Sequence, residues 1–111
     1  PKPVTFILYF DSKTALTGEA ERVAEALVAE VKLRHFPGVE ISGHTDRVGK
    51  AERNKVLGLR RANALRDYLV ANSSLTKEQI KVVSFGEYVP LVPTADGVKE
   101  PRNRRVEIVV R

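Results

Sequence analysis

Apolar and polar positions along this chain recur with two distinct periods, and the switches between them mark out its elements. Residues 4–10, Val-Thr-Phe-Ile-Leu-Tyr-Phe, are rich in β-branched and aromatic side chains and are ended by Asp11 and Ser12, which predicts a buried strand. Ala20, Val23, Ala24, Leu27 and Val31 then recur at intervals of three and four, which is one face of a helix. Thr17 stands at its expected N-cap, and Glu19 and Glu21 suit the positive end of the helix dipole. Pro37 and Gly38 stop this helix and turn the chain into a strand over 39–44 with period-two alternation. A second helix is predicted over 54–71, with Gly58, Ala62, Leu65 and Leu69 as its core stripe and Leu57, Arg61 and Tyr68 on an adjacent one.

Thr76 and Gln79 have the spacing of a capping box and predict a single helical turn before a strand over 80–85. The last strand spans 104–111, with Val106, Ile108 and Val110 on one face and Arg105, Glu107 and Arg111 on the other. Residues 86–102 hold three prolines and two glycines and read as a long surface loop. The order β-α-β-α-β-β predicts an α+β two-layer sandwich, with both helices on one face of a mixed four-stranded sheet.

Composition narrows the function classes. At 111 residues the chain suits one domain with one core. The absence of cysteine removes disulfides, thiolate metal sites and cysteine nucleophiles. No apolar run approaches the ~20 residues of a membrane helix, so the domain itself is not expected to span a bilayer. It begins at Pro1 with no signal segment, as expected of a piece of a longer protein. The net charge of +5 is dispersed, because Lys and Arg interleave with Glu and Asp through 19–34 and 50–67 in the manner of a solvated face. Aromatic residues are not interleaved with the basic ones, which argues against a nucleic-acid partner.

The chemistry concentrates in residues 43–62. Thr45 and Asp46 follow a strand directly, and Gly49 allows the turn into the second helix. Arg61 stands seven residues beyond Asn54, roughly 10 Å along the helix, but helical side chains lean toward the N-terminus, so a long arginine reaches back to the same turn. A guanidinium grips a carboxylate with two parallel hydrogen bonds, and a carboxylate accepts from an ammonium. Asp46 and Arg61 together suit an amino-acid zwitterion. Taken singly, Asp46 reads better as a turn former or helix cap, and Arg61 as a surface ion-pair partner of Glu52 or Asp67; their joint occurrence with Asn54 and the closing Asn-Arg-Arg-Val-Glu-Ile reverses that balance. His35, His44 and Asp46 lack the spacing of a metal site. Neither Ser12 nor Ser42 has the context of a nucleophile, so no catalytic residue, metal or cofactor is expected.

The run Gly-His-Thr-Asp-Arg-Val-Gly at 43–49, Asn54, Arg-Arg-Ala at 60–62 and Asn-Arg-Arg-Val-Glu-Ile at 103–108 together resemble the OmpA-like domain, the peptidoglycan-associating module of bacterial envelope proteins. The resemblance covers about residues 4–111. It implies that Asp46 and Arg61 hold the zwitterionic end of diaminopimelate in a peptidoglycan stem peptide. Leu57 would line the pocket, the loop Phe10-Asp11-Ser12 would add contacts, and Asn54 would fix the turn. The chain departs from the family pattern at Arg53, where an aromatic residue is common, and at Gly58, where serine is common. Gly58 costs about 1 kcal/mol of helix propensity, which points to close helix-sheet approach. Of Arg104 and Arg105, one is expected to brace the loop through an ion pair and the other to face solvent, both outside the site. The implied function is non-catalytic anchoring of a longer parent protein to the cell wall, in the periplasm, with the parent attached to the outer or, as second choice, the inner membrane. A dimer is compatible with this. The alternative is a periplasmic protein-protein adaptor with a degenerate pocket.

Overall fold

In the computed structural model, which describes residues 2–10, 16, 18–35 and 37–111, six elements follow the predicted order. They are β1 (Val4–Tyr9), α1 (Glu19–Lys32), β2 (Val39–His44), α2 (Ala51–Asn72), β3 (Ile80–Gly86) and β4 (Arg105–Val110), with single 3-10 turns at Lys77–Gln79 and Pro101–Asn103. The expected contacts of Asp11 and Ser12 and the Thr17 cap fall outside the described residues. The sheet order is β1-β4-β2-β3, so the last strand enters between the first two. β4 runs antiparallel to both neighbours, whereas β2 and β3 are parallel, and the sheet is mixed as predicted. α1 packs on β1 and α2 on β2 and β3. Between the layers lie Leu8, Ile41, Val106 and Ile108 of the sheet, Ala24, Leu27 and Val31 of α1, and Ala62, Leu65 and Leu69 of α2. Each large aliphatic side chain buried there contributes about 1.5–3 kcal/mol.

Several boundaries differ from expectation for identifiable reasons. The cap position of α1 is Gly18, at φ 57, with no side-chain hydrogen bond. α2 begins at Ala51 rather than Asn54, because Lys50 is its cap and the Asn54 N–H donates to the Lys50 carbonyl at 3.0 Å. Asparagine is a favoured cap residue, but here its side chain is used in long-range bonds instead. The capping box at Thr76 and Gln79 is present. Residues 87–100 follow the surface as expected, yet they are firmly tied. Asn103 is fully buried, accepting from the Val92 N–H and donating to the Val92 carbonyl, both at 2.8 Å. Arg47 binds Glu87 at 3.1 Å, donates to the Thr94 carbonyl at 3.0 Å and accepts from the Gly97 N–H at 2.9 Å.

That loop corrects the expectation for Arg105. Its side chain is on the face away from the helices, but the loop covers it: Arg105 is buried, pairs with Glu107 at 2.6 Å and donates to the Val89 carbonyl at 3.0 Å. His44 is buried beside it, stacked on Phe85 with ring centroids 5.5 Å apart and 3.0 Å from the Ser42 hydroxyl. Burial first, then the Arg105 charge, lowers the His44 pKa from 6.5 to about 4, against the opposing charge of Glu107.

α2 lies directly against β2 where two glycines meet. A Cβ on Gly43 would stand 1.9 Å from the Gly58 carbonyl oxygen, and one on Gly58 would stand 2.5 Å from the Ser84 hydroxyl. This is the close approach that the glycine in mid-helix suggested.

Two predictions follow from this packing. Gly43→Ala forces backbone against backbone and is expected to lower the unfolding free energy by about 3 kcal/mol or more. Gly38→Ala, whose Cβ meets nothing within 4 Å, should stay within about 0.5 kcal/mol. Urea denaturation followed by circular dichroism measures both, and equal stability of the two variants would contradict the contact. For His44, the unfolded chain takes up a proton near pH 6.5 while the folded one resists to about 4, so stability from this group is full above 6.5 and is lost as pH falls toward 4. Wild type should therefore lose on the order of 2–3 kcal/mol more than His44→Gln between pH 7 and 4. Parallel stability profiles for the two proteins would show that His44 does not resist protonation.

Candidate functional site

β2 ends in a register shift between Gly43 and His44, after which the chain swings off the sheet. The Thr45 N–H still reaches the Gly86 carbonyl at 2.9 Å, so the turn starts from a fixed point on β3. Asp46 then caps its own turn, its Oδ1 accepting from the Val48 N–H at 3.2 Å, and Gly49 takes φ 84 to lead into α2. Asn54, on the first turn of α2, donates to the carbonyls of Asp46 at 3.3 Å and Val48 at 3.0 Å and to Glu87 at 3.3 Å. Its amide thus binds the turn to the helix and to the loop after β3. Residues distant in sequence meet in one buried polar network, which is stable only because its members are mutually satisfied.

Two turns further along α2, Arg61 extends back to this turn. It is almost fully buried, donates from Nη1 to the His44 carbonyl at 3.3 Å and lies over the Phe10 ring at 5.5 Å. Phe10 is itself held by its N–H, which donates to the Arg104 carbonyl at 2.8 Å. Burial, and next the charge of Arg104, lower the Arg61 pKa to about 10, with Asp46 pulling the other way. Arg61 therefore remains a cation at neutral pH. Its alternative partner Asp67 is engaged by Arg66 at 3.2 Å.

A cavity of about 170 Å³ opens between these groups. Thr45, Asp46, Asn54, Leu57 and Arg61 line it, so the sequence reading brought together five of its eight site residues. Phe10 contributes from beneath the guanidinium. Val48, Lys99 and Arg104 also line the cavity and were missed. For Arg104 this is a correction. It was expected outside the site, but its Nε donates to Asp46 Oδ2 at 2.9 Å, with both side chains largely buried. The Asn-Arg-Arg motif carried a signal for that arginine, whereas nothing in the pattern around Lys99 marked it.

The arrangement limits what the site can do. Asp46 Oδ2 already accepts from Arg104 and from the Glu100 N–H at 3.3 Å, while among the described residues Oδ1 accepts only from the Val48 N–H. A carboxylate oxygen has room for about two donors, so Oδ1 retains capacity for one more. A cavity of this size takes an amino-acid head group and is smaller than the ~300–1,000 Å³ of a pocket for a larger ligand. His44 offers the site only its carbonyl, because its imidazole stacks on Phe85 on the far face of the sheet. Among the described residues, no three His, Asp or Glu side chains are grouped to hold a metal ion.

A sequence profile described as the OmpA family matches residues 8–104. An outer membrane protein of Gluconacetobacter diazotrophicus is 35% identical over 119 residues, which spans 99% of this chain and 31% of that protein. A peptidoglycan-associated lipoprotein of Pseudomonas aeruginosa is 36% identical over 104 residues, or 94% of this chain and 60% of that protein. The chain thus spans less than two thirds of the length of either relative. The crystal structure of the peptidoglycan-associated lipoprotein from Burkholderia pseudomallei has the same fold, with a TM-score of 0.82 and 26% identity over 95% of this chain and 89% of that one.

Proposed function

Because the chain belongs to the OmpA family, we propose that it is a non-catalytic peptidoglycan-binding module, which grips the diaminopimelate of a stem peptide and anchors a longer parent protein to the cell wall. The observation that carries this reading is the small cavity with a buried guanidinium and a buried carboxylate in its lining, a match in size and charge for one amino-acid zwitterion. Arg61 takes the carboxylate through its planar fork, and Asp46 Oδ1 takes the ammonium. Arg104 fixes the Asp46 side chain before the ligand arrives, so little ordering entropy is lost on binding. Leu57 covers the methylene chain, and Phe10 lies against the Arg61 guanidinium on one side. The names of the relatives, an outer membrane protein and a peptidoglycan-associated lipoprotein, support a periplasmic location for the domain in a parent attached to the outer membrane. No helix among the described residues is long and apolar enough to cross a membrane.

One observation favours a second reading. Asp46 already has a cationic partner in Arg104, as a pocket that has lost its ligand and serves only as scaffold would. The domain would then be a periplasmic adaptor whose partner is protein.

Co-sedimentation with purified diaminopimelate-type sacculi separates the two. Arg61→Lys keeps the charge but loses the fork, and should weaken binding by at least about tenfold, or 1.4 kcal/mol. Asp46→Asn makes the site more positive, so a nonspecific polyanion binder would bind better and a zwitterion receptor worse. We expect both variants, with folding verified, to bind more weakly than wild type. Full retention by the lysine variant, or stronger binding by the asparagine variant, would remove the zwitterion mechanism.

A further inference from the structure

Glu87 is a carboxylate that the binding of an amino-acid head does not use, yet it is buried. A buried charge is costly unless it is paired, and here Oε2 accepts from Arg47 Nε at 3.1 Å and Oε1 from the Asn54 amide at 3.3 Å. From this anchor Arg47 reaches along the loop that leads to β4. Its Nη1 donates to the Thr94 carbonyl at 3.0 Å, its Nη2 pairs with Asp96 at 2.5 Å, and its own carbonyl accepts from the Gly97 N–H at 2.9 Å. Gly97 takes φ 74, a left-handed conformation that favours glycine, so the backbone itself is shaped for this contact. Three residues further on, the Glu100 N–H donates to Asp46 Oδ2 at 3.3 Å. The chain thereby closes a ring, in which residue 47 holds the loop and the loop returns a hydrogen bond to the side chain of residue 46.

We infer that Arg47, anchored on Glu87, is a positioning residue that fixes the Asp46 carboxylate for the ammonium of the ligand. This inference rests on the zwitterion reading of the cavity. Arg47 is not among the described residues that line the cavity, so it acts through the loop and not on a ligand. By pinning residues 94–97 it holds the Glu100 N–H on Oδ2, where Arg104 also donates at 2.9 Å, and the carboxylate keeps its Oδ1 for the ligand. The role needs a guanidinium. Its planar fork serves Glu87 and Thr94 at once, whereas the single ammonium of a lysine can pair with Glu87 but cannot also span to Thr94. The pair with Asp96, which is 84% exposed, adds little, so the anchoring lies in the two more sheltered contacts.

The test compares two synthetic stem tripeptides, one ending in diaminopimelate and one in 2-aminopimelate, which keeps the distal carboxylate but lacks the distal amine. Both are titrated into the domain by NMR, and hydrogen exchange of the Glu100 amide is measured without ligand. Wild type should prefer the diaminopimelate peptide by at least about tenfold. The variants are Arg47→Lys and the double change Arg47→Gln with Glu87→Gln, which leaves no buried carboxylate unpaired; if one fails to fold, the other decides. In each, Glu100 exchange should quicken by at least about tenfold and the preference should fall to about threefold or less. Affinity for the 2-aminopimelate peptide should stay within about twofold, because Arg61 is untouched. An unchanged preference or unchanged Glu100 exchange in a folded variant would overturn the role of Arg47, and so would equal weakening of both peptides, the mark of a merely structural residue. If wild type bound neither peptide better than Arg61→Lys does, the zwitterion reading would fall, and the Glu100 exchange rates would still decide whether Arg47 sets the Asp46 carboxylate.

Discussion

The backbone contact between Gly43 and Gly58 is the constraint on which the rest of the arrangement depends. With no side chain on either residue, α2 approaches β2 as closely as backbone atoms allow, and a single Cβ there would overlap a carbonyl oxygen. That approach sets the height of the whole helix above the sheet. Arg61, one turn beyond Gly58, is thereby brought to the carbonyl of His44, next to Gly43. A wider spacing would leave the guanidinium without that acceptor, and a buried donor left unsatisfied costs about 1–3 kcal/mol. The helix-propensity cost of a glycine in mid-helix is small by comparison.

On this base the site is assembled from four separate parts of the chain. The turn after β2 supplies Asp46, α2 supplies Asn54 and Arg61, the loop before β4 supplies Lys99, and the residue just before β4 supplies Arg104. β4 runs between β1 and β2, so the start of the last strand lies beside the end of the first two. The Phe10 N–H bond to the Arg104 carbonyl and the Arg104 side-chain bond to Asp46 both follow from that topology. Buried ion pairs seldom add much net stability, because desolvation offsets the attraction. The effect of the Asp46 and Arg104 pair is to hold one carboxylate in one orientation, which is what a receptor for a small charged head requires.

The fold was legible because its signals are local. Strands rich in Val and Ile, helical spacing from Ala20 to Val31, Pro37-Gly38 and the Thr76 capping box each declare an element within a few residues. Asp46 and Arg61 were also visible, since both lie near the same strand-turn-helix segment. What stayed hidden depends on distant partners. Asn54 has the character of a cap, yet its amide binds Asp46, Val48 and Glu87, so the helix starts three residues earlier. Arg105 alternates onto the solvent face by period, but its exposure was decided by a loop folding over it through Val89. The pairing of Arg104 with Asp46 spans 58 residues, and no periodicity encodes it.

The central claim, that Arg61 reads the distal carboxylate of diaminopimelate, is tested most directly by titration calorimetry with two stem peptides that differ only in that group. A lysine-type peptide lacks the carboxylate and leaves a buried guanidinium without its ligand, a loss of about 2–5 kcal/mol for a buried charge pair. The account predicts at least about a thirtyfold preference for the diaminopimelate-type peptide, since roughly 1.4 kcal/mol is tenfold in affinity. Equal affinities for the two peptides would contradict it.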